Sequence, residues 1–437
     1  MRSVRGNRET PDAEPKFFMS RNNIIAGIDI GSSNVRTVIA QEMRGEEALR
    51  IIGVGIVPSS GIRRGAIIDI DEAAKSVNES VGIAERMSGE EIRKAHVSIG
   101  GTEITLQDSK GVIAIGRADG EVVEDDVNRV ITEAQAIPLP MNKDILHIIP
   151  KRYRLDDQND IKNPLGMRGV RLEVEALVVE SSAAHVKNLT KCLYQAGIEI
   201  EDIALEPLAS SKAVLTKKQK ELGVVLVNIG GGTTSIAVFE EGEILHTAIL
   251  PVGAGHITND IAIGLRTSID VAERVKLEYG TSLTRGVNQK EEIDISKFDS
   301  QEDGTVSRYH VTEIIEARLV EIFEIVQAEL KKIGKAGLLP AGAVLVGGGA
   351  KLPEIIDLAK EILRLPIQIG YPGGFTGVLD KVDDPSFATA AGLLLWGDDQ
   401  ANFSGGVTSG IKVLDNLSKG TGYTVGRVKD WIGKFLP

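Results

Sequence analysis

The sequence predicts an α/β protein of two lobes, each a duplicated unit of sheet and helix, with a small α+β insertion. Three observations carry this. The stretch 224–239, VVLVNIGGGTTSIAVF, reads as strand, tight turn, strand. The stretch 26–40, AGIDIGSSNVRTVIA, repeats that layout, with Asp29 where the later copy has Asn228. The third is length: 437 residues exceed one typical core, so two or more domains are expected.

The turn chemistry comes first. Val224, Val225, Leu226 and Val227 are apolar and mostly β-branched, as a buried strand requires. Gly230, Gly231 and Gly232 then let backbone N–H groups approach an anion with no Cβ in the way, and Thr233 and Thr234 add hydroxyl donors. Alone, this is equally a glycine-rich hairpin. The second copy, with Gly31, Ser32, Ser33 and Asn34 in its turn, points to two phosphate loops with one nucleotide between them. Walker and Rossmann readings fall, because no G-x-x-x-x-G-K-[ST] occurs and both loops lead into strands where those motifs lead into helices.

Composition narrows the class. With 42% hydrophobic and 26% charged residues the chain is ordinary for a soluble globular protein. A net charge of −12 argues against a general nucleic-acid binder. The single cysteine, Cys192, leaves no intramolecular disulfide framework and fits a reducing cytoplasm. No apolar run reaches the length of a membrane span, and 1–21 reads as a disordered extension rather than a signal peptide.

Along the chain, strands at 24–30, 35–41 and 49–57 form a meander before a helix at 71–87. Between 86 and 166 the texture changes: short strands at 95–99 and 111–115, a helix at 124–136, strands at 145–149 and 152–155. A strand at 171–179, a helix at 183–196 and a helix within 203–215 lead to the second loop. After a strand at 243–251, the segment 253–280, which contains Gly255, turns helical. The stretch 281–309 reads as an exposed elaboration with little core, and 311–333 as a long helix. A third glycine cluster, Gly347, Gly348 and Gly349, precedes Ala350 and a helix with Pro353 in its first turn; 384–396 is a small-residue helix suited to close packing.

Other side chains have two readings each. Glu206, just ahead of the second loop, could position the water that attacks a γ-phosphate, but residue chemistry alone favours a helix-start carboxylate. Glu273 and Lys276 lie three apart, as a surface ion pair or a ribose or adenine contact. Gly348, Gly349 and Ala350 could lie under a flat base, or make a tight turn. The six histidines show no ligand spacing, so no transition-metal site is expected; Asp29 could hold a hydrated Mg²⁺ through water.

On these motifs the chain resembles the actin, sugar-kinase and heat-shock-chaperone ATPase superfamily. Within it the chain is similar to the FtsA family, the bacterial actin homologues of cell division, over roughly 22–400 and at the C-terminal tail. The more specific marks are DDVNRVITEAQAIPLP at 125–140, ILHIIPKRYRLD at 145–156, NPLGMRGVRLEVEA at 163–176, EPLASSKAVL at 206–215 and DPSFATAAGLLLW at 384–396. The resemblance implies an actin-like ATPase fold: a first lobe at 22–85 and 167–205, completed by 377–397; an inserted subdomain at 86–166; a second lobe at 206–252 and 321–376; an outer subdomain at 253–320. It implies ATP or ADP with Mg²⁺ between the lobes, and filaments of the chain itself. It implies capture of the FtsZ C-terminal peptide on 253–320, for which Arg318 is the named contact. The inserted subdomain is left as a surface for downstream division proteins. Two positions depart from the superfamily pattern, Asn34, where Lys or Thr is common, and Asn228, where Asp is usual. An amide removes one charge near the metal, so at most a weak ATPase is expected.

The tail carries its own signal. Residues 398–422 are loose in composition, and a flexible coil of ~22 residues spans about 25 Å. In 423–437, Val425, Val428, Ile432 and Phe435 recur on one helical face, widened by Trp431 and Leu436 and accompanied by Arg427, Lys429 and Lys434. That pattern suits an interfacial anchor on anionic membrane lipids at the cytoplasmic face; a helix docked on the protein's own body is the alternative. Two rival functions are a type IV pilus assembly protein of the PilM kind, disfavoured by this tail, and a sugar or metabolite kinase, for which no catalytic base facing a small-molecule pocket is found.

Overall fold

The computed structural model describes residues 23–43, 48–299 and 304–403, with 399–403 as backbone alone. The predicted extension at 1–21, most of the predicted linker and the predicted anchor helix at 423–437 lie outside the described residues.

Two sheets share one plan. In the first, Ile24–Ile30, Asn34–Gln41 and Leu49–Pro58 form an antiparallel meander. Lys94–Ile99 pairs parallel with Ile24–Ile30, Glu199–Leu205 extends it, and Phe375–Gly377 closes the far edge. In the second, Val224–Ile229, Thr234–Glu240 and Glu243–Leu250 make the meander, with Ala343–Val346 and then Ile367–Ile369 added in parallel. The predicted duplication is thus present strand for strand in the meanders and in the two parallel additions. Strand Val224–Ile229 is apolar except at Asn228 because it is buried on both faces: Val224 and Leu226 join one core, Val225, Val227 and Ile229 the other.

A third, four-stranded sheet orders Ile104–Ala114, Arg171–Ser182, Lys143–Leu155 and Gln158–Ile161, covered by helix Glu124–Ala134 around a separate core that includes Val130, Ile131 and Leu172. This redraws the predicted insertion at 86–166. Residues 94–99 belong to the first sheet, whereas 171–182 is one of the two inner strands of the third. The strands predicted at 145–149 and 152–155 are one strand, Lys143–Leu155, because the irregularity at Pro150 is absorbed as a register shift opposite Glu175 and Ala176.

Helix Ile70–Ser88 is capped by Asp69, whose carboxylate accepts from the Glu72 amide at 3.0 Å, and stopped by Gly89 in the left-handed region. The helical segment 253–280 is two helices, Ala254–Leu265 and Ile269–Tyr279, separated at Arg266 with φ 56°. The stretch 281–309 has more core than predicted, burying Leu283, Ile293 and Ile295 around a small hairpin before helix Arg308–Lys332. Pro353 stands outside its helix, which begins at Ile355 after Glu354 in a left-handed conformation. Helix Ala388–Phe403 runs on through 398–403, which the sequence assigned to the linker. Its predicted close packing is present: a Cβ on Gly27 would stand 2.7 Å from the Ala390 carbonyl oxygen. Gly392 lies as tightly on Ala209 of helix Glu206–Val214.

Candidate nucleotide cleft

The two hairpin turns face one another. In the first, the Gly31 amide donates to the Asn34 carbonyl at 3.2 Å; in the second, the Gly230 amide donates to the Thr233 carbonyl at 2.9 Å. The turns touch: a Cβ on Gly231 would overlap the Ser33 hydroxyl, and one on Gly232 would stand 2.7 Å from the Ser32 hydroxyl. Loop 59–65 props the first turn, with the Ser59 hydroxyl donating to the Gly31 carbonyl at 2.6 Å and the Gly65 amide to the Ser32 hydroxyl at 2.8 Å. The second turn is seated on helix Ala254–Leu265: the amides of Ala254 and Gly255 donate to the carbonyls of Gly230 and Gly231, each at 2.8 Å. Gly255 therefore shapes the turn through a committed amide.

What the turns leave over is a donor set. The amides of Ser32, Ser33, Gly231, Gly232 and Thr233 donate to no protein acceptor among the described residues. Free amides clustered at two touching turns, with no Cβ at Gly231 or Gly232, fit a polyphosphate.

Behind them lies a polar cluster at the root of both hairpins. Asp29 is buried and accepts from the Ser98 hydroxyl at 2.8 Å. Burial pushes its carboxyl up, against the pull of Arg36 and the Ser98 bond. Glu206 is the first residue of helix Glu206–Val214, as the helix-start reading has it, but its carboxylate also accepts from the Asn228 side-chain amide and from the Ser210 hydroxyl. Burial, helped by the nearby charge of Asp29, pushes the Glu206 carboxyl up to about 7. Asn228 reaches on to the Thr389 hydroxyl at 3.4 Å, which meets Ser210 at 2.9 Å. Among the described residues no three or more His, Cys, Asp or Glu side chains form a ligand cluster. A Mg²⁺ at Asp29 would thus be held mostly by water and phosphate oxygens, as that ion prefers.

Lys276 is buried and not a solvated surface cation: its ammonium donates to Glu273 at 2.6 Å and to the Thr258 hydroxyl at 2.8 Å, beside the helix that seats the second turn. The third glycine cluster packs over the same strand. Gly347, with φ 84°, sits against Ile229 and Asn228, and its amide donates to the Pro385 carbonyl at 2.9 Å. Gly348 faces open space, while Gly349 covers Ile229. Beyond Ala350 a cavity of about 720 Å³ is lined by Lys351, Ile355, Tyr371 and Asp384 among others.

Arg318, the predicted peptide contact, lies on helix Arg308–Lys332. Its guanidinium is already engaged, bidentate to Asp260 at 2.6 and 3.0 Å and also paired with Glu321. An incoming acidic peptide would have to displace both. Ser98, Ser210, Thr389 and Arg36 were not singled out by the sequence. The first three are ordinary small polar residues with no local signal, but Arg36 had one, as the only charged residue in strand NVRTVIAQ.

Two similarly wound sheets with a loop-lined cleft between them define an actin-like protein. The chain covers 98% of a solved PilM–PilN type IV pilus biogenesis complex chain, with 85% of this chain aligned, TM-score 0.63 and 18% identity. It covers 99% of MreB5 of Spiroplasma citri bound to ADP, with 88% of this chain aligned, TM-score 0.52 and 14% identity. These likenesses show the fold.

The sequence comparisons are narrower. The profile described as cell division protein FtsA matches residues 225–392, and the SHS2 domain inserted in FTSA matches 101–180, in line with the third sheet rather than with 86–166. Cell division protein FtsA of Pseudomonas aeruginosa is 39% identical over 86% of this chain and 89% of its own length. That of Bacillus subtilis is 39% identical over 89% and 86%, and that of Escherichia coli 30% over 94% and 98%. The chain belongs to the FtsA family of cell division proteins.

Proposed function

We propose that this protein is a nucleotide-clamped, self-assembling adaptor that tethers FtsZ to the cytoplasmic face of the membrane at the division site. The observation that carries the nucleotide part is the set of unpaired amides at Ser32, Ser33, Gly231, Gly232 and Thr233. In this reading ATP or ADP lies with its phosphates between the two turns, Mg²⁺ sits beside Asp29, and the base lies toward Gly348, Gly349, Glu273 and Lys276. Glu206, with its carboxyl near neutrality and anchored by Asn228, is the group able to hold a water for attack. An amide at 228 in place of a second carboxylate keeps turnover slow, so nucleotide sets conformation for assembly.

The outer subdomain, 253–320, takes the FtsZ C-terminal peptide, and the inserted subdomain is free for downstream division proteins. The segment 423–437 lies on anionic lipid through Trp431, Ile432, Phe435 and Leu436 with Arg427, Lys429 and Lys434 toward head groups. One such helix binds weakly; a filament presents many, so assembly and anchoring reinforce each other.

Co-pelleting of FtsZ on anionic liposomes, with and without this protein, tests the adaptor reading; absence of recruitment would overturn it in favour of the PilM-like alternative. Flotation of wild type against Trp431→Glu tests the anchor, and equal flotation would sink it.

A further inference from the structure

We propose that Arg36 is the resident cation of the cleft: it compensates Asp29 when no divalent ion is bound, and it meets the phosphates of the nucleotide. The inference rests on the nucleotide reading above and goes beyond it in naming a residue and a metal dependence.

Arg36 lies two residues past the first turn, directly opposite Asp29 in the antiparallel ladder. Cross-strand partners leave a sheet by the same face, so the guanidinium and the Asp29 carboxylate emerge side by side. Asp384 also acts on the Arg36 charge, and the guanidinium lies 5.6 Å from the Phe387 ring centre.

Both carboxylates are nevertheless committed elsewhere. Asp29 accepts from Ser98, and Asp384 is paired with Lys351 and accepts the Ser386 amide at 2.8 Å. The Arg36 guanidinium forms no ion pair or hydrogen bond among the described residues, and its Nε is fully enclosed without a partner. A guanidinium carries five donors, and leaving an enclosed one unmet is costly unless a ligand completes it. The free amides of Ser32 and Ser33 on the adjoining turn indicate an anion, and a forked guanidinium matches phosphate oxygens.

The consequence is a particular coupling. With Mg²⁺ bound, the ion compensates Asp29 and Arg36 is partly redundant. Without it, Arg36 is, among the described residues, the positive charge that offsets Asp29 against the phosphates.

The test is equilibrium binding of a fluorescent ATP analogue to the full chain, in Mg²⁺ and in chelator, for wild type, Arg36→Gln and Arg36→Lys. Arg36→Gln should weaken binding by about 10-fold more in chelator than in Mg²⁺, the effect of one partly screened charge, with Arg36→Lys between it and wild type. Equal weakening under both conditions, or none, overturns the proposal. If Arg36→Gln melts early, Arg36→Lys decides alone, since a purely structural defect would not depend on Mg²⁺. Failure of wild type to bind in Mg²⁺ would instead remove the nucleotide reading, and this inference with it.

Discussion

The first and second turns are the same device made from different materials. The first stands beside charge: Asp29 and Arg36 flank it, and serine hydroxyls at 32, 59 and 98 fix its shape. The second has an amide, Asn228, at the matching position and is shaped by backbone stacked on backbone, with Gly253 and Gly255 pressed against its carbonyls. One jaw is tuned by electrostatics and the other by steric fit. Substitutions in the two should therefore fail in different ways.

The largest expected effect is steric. A Cβ on Gly253 would stand 2.5 Å from the Gly230 carbonyl oxygen and 2.8 Å from the Thr233 nitrogen, both backbone atoms that cannot swing aside. Gly253→Ala should cost about 2–4 kcal/mol in urea unfolding and abolish nucleotide binding. Wild-type stability in that variant would break the contrast between the jaws.

Next comes Asn228→Asp, which gives the second jaw the charge it lacks. The new carboxylate would face Glu206, so the variant should lose roughly 2–3 kcal/mol at pH 8 and recover most of it at pH 5, where one of the pair is protonated. Unfolding at the two pH values checks this, and a pH-independent loss would contradict it.

Glu206 itself gives an opposite sign. Its carboxyl stands at about 7 against an ordinary 4.5, so ionising it in the fold costs stability as pH rises through that window, and the full cost is present above it. Glu206→Gln removes the cost: the variant should gain about 2 kcal/mol over wild type at pH 8 and nothing near pH 4. Melting curves at both ends decide it. The smallest effect belongs to the first jaw. Ser98→Ala deletes one hydrogen bond to Asp29, worth about 1 kcal/mol, and should weaken Mg²⁺-supported binding more than binding in chelator.

Both turns were legible in the sequence because each is local: glycines and small polar residues between two apolar runs specify a hairpin without reference to the rest of the chain. The long helix Arg308–Lys332 was legible for the same reason, since its buried positions recur at helical spacing. Pairing between distant strands was not. Nothing in 94–99 announces that it lies parallel to Ile24–Ile30, nor in 171–182 that it belongs with Lys143–Leu155, and the insertion's bounds moved accordingly. Arg318 illustrates the same limit for a side chain: its partner Asp260 is on another helix, so a committed guanidinium reads in the sequence as an available one. Lys276 erred the other way, its i,i+3 partner suggesting an exposed pair where neighbouring helix Ala254–Leu265 covers it.

Helix Ala388–Phe403 has a mechanical implication. Near its start, Thr389 is hydrogen-bonded to Asn228 and to Ser210, at the root of the cleft. Its far end is Phe403, the last described residue. A straight helix of this span is a rod of ~24 Å. Pivoted at Thr389 by roughly 5°, such a rod swings its far end by about 2 Å. A change of contacts around Asn228 would therefore act on the same rigid element whose far end is the last described residue, so the cleft root and the C-terminal end of the described chain share one helix.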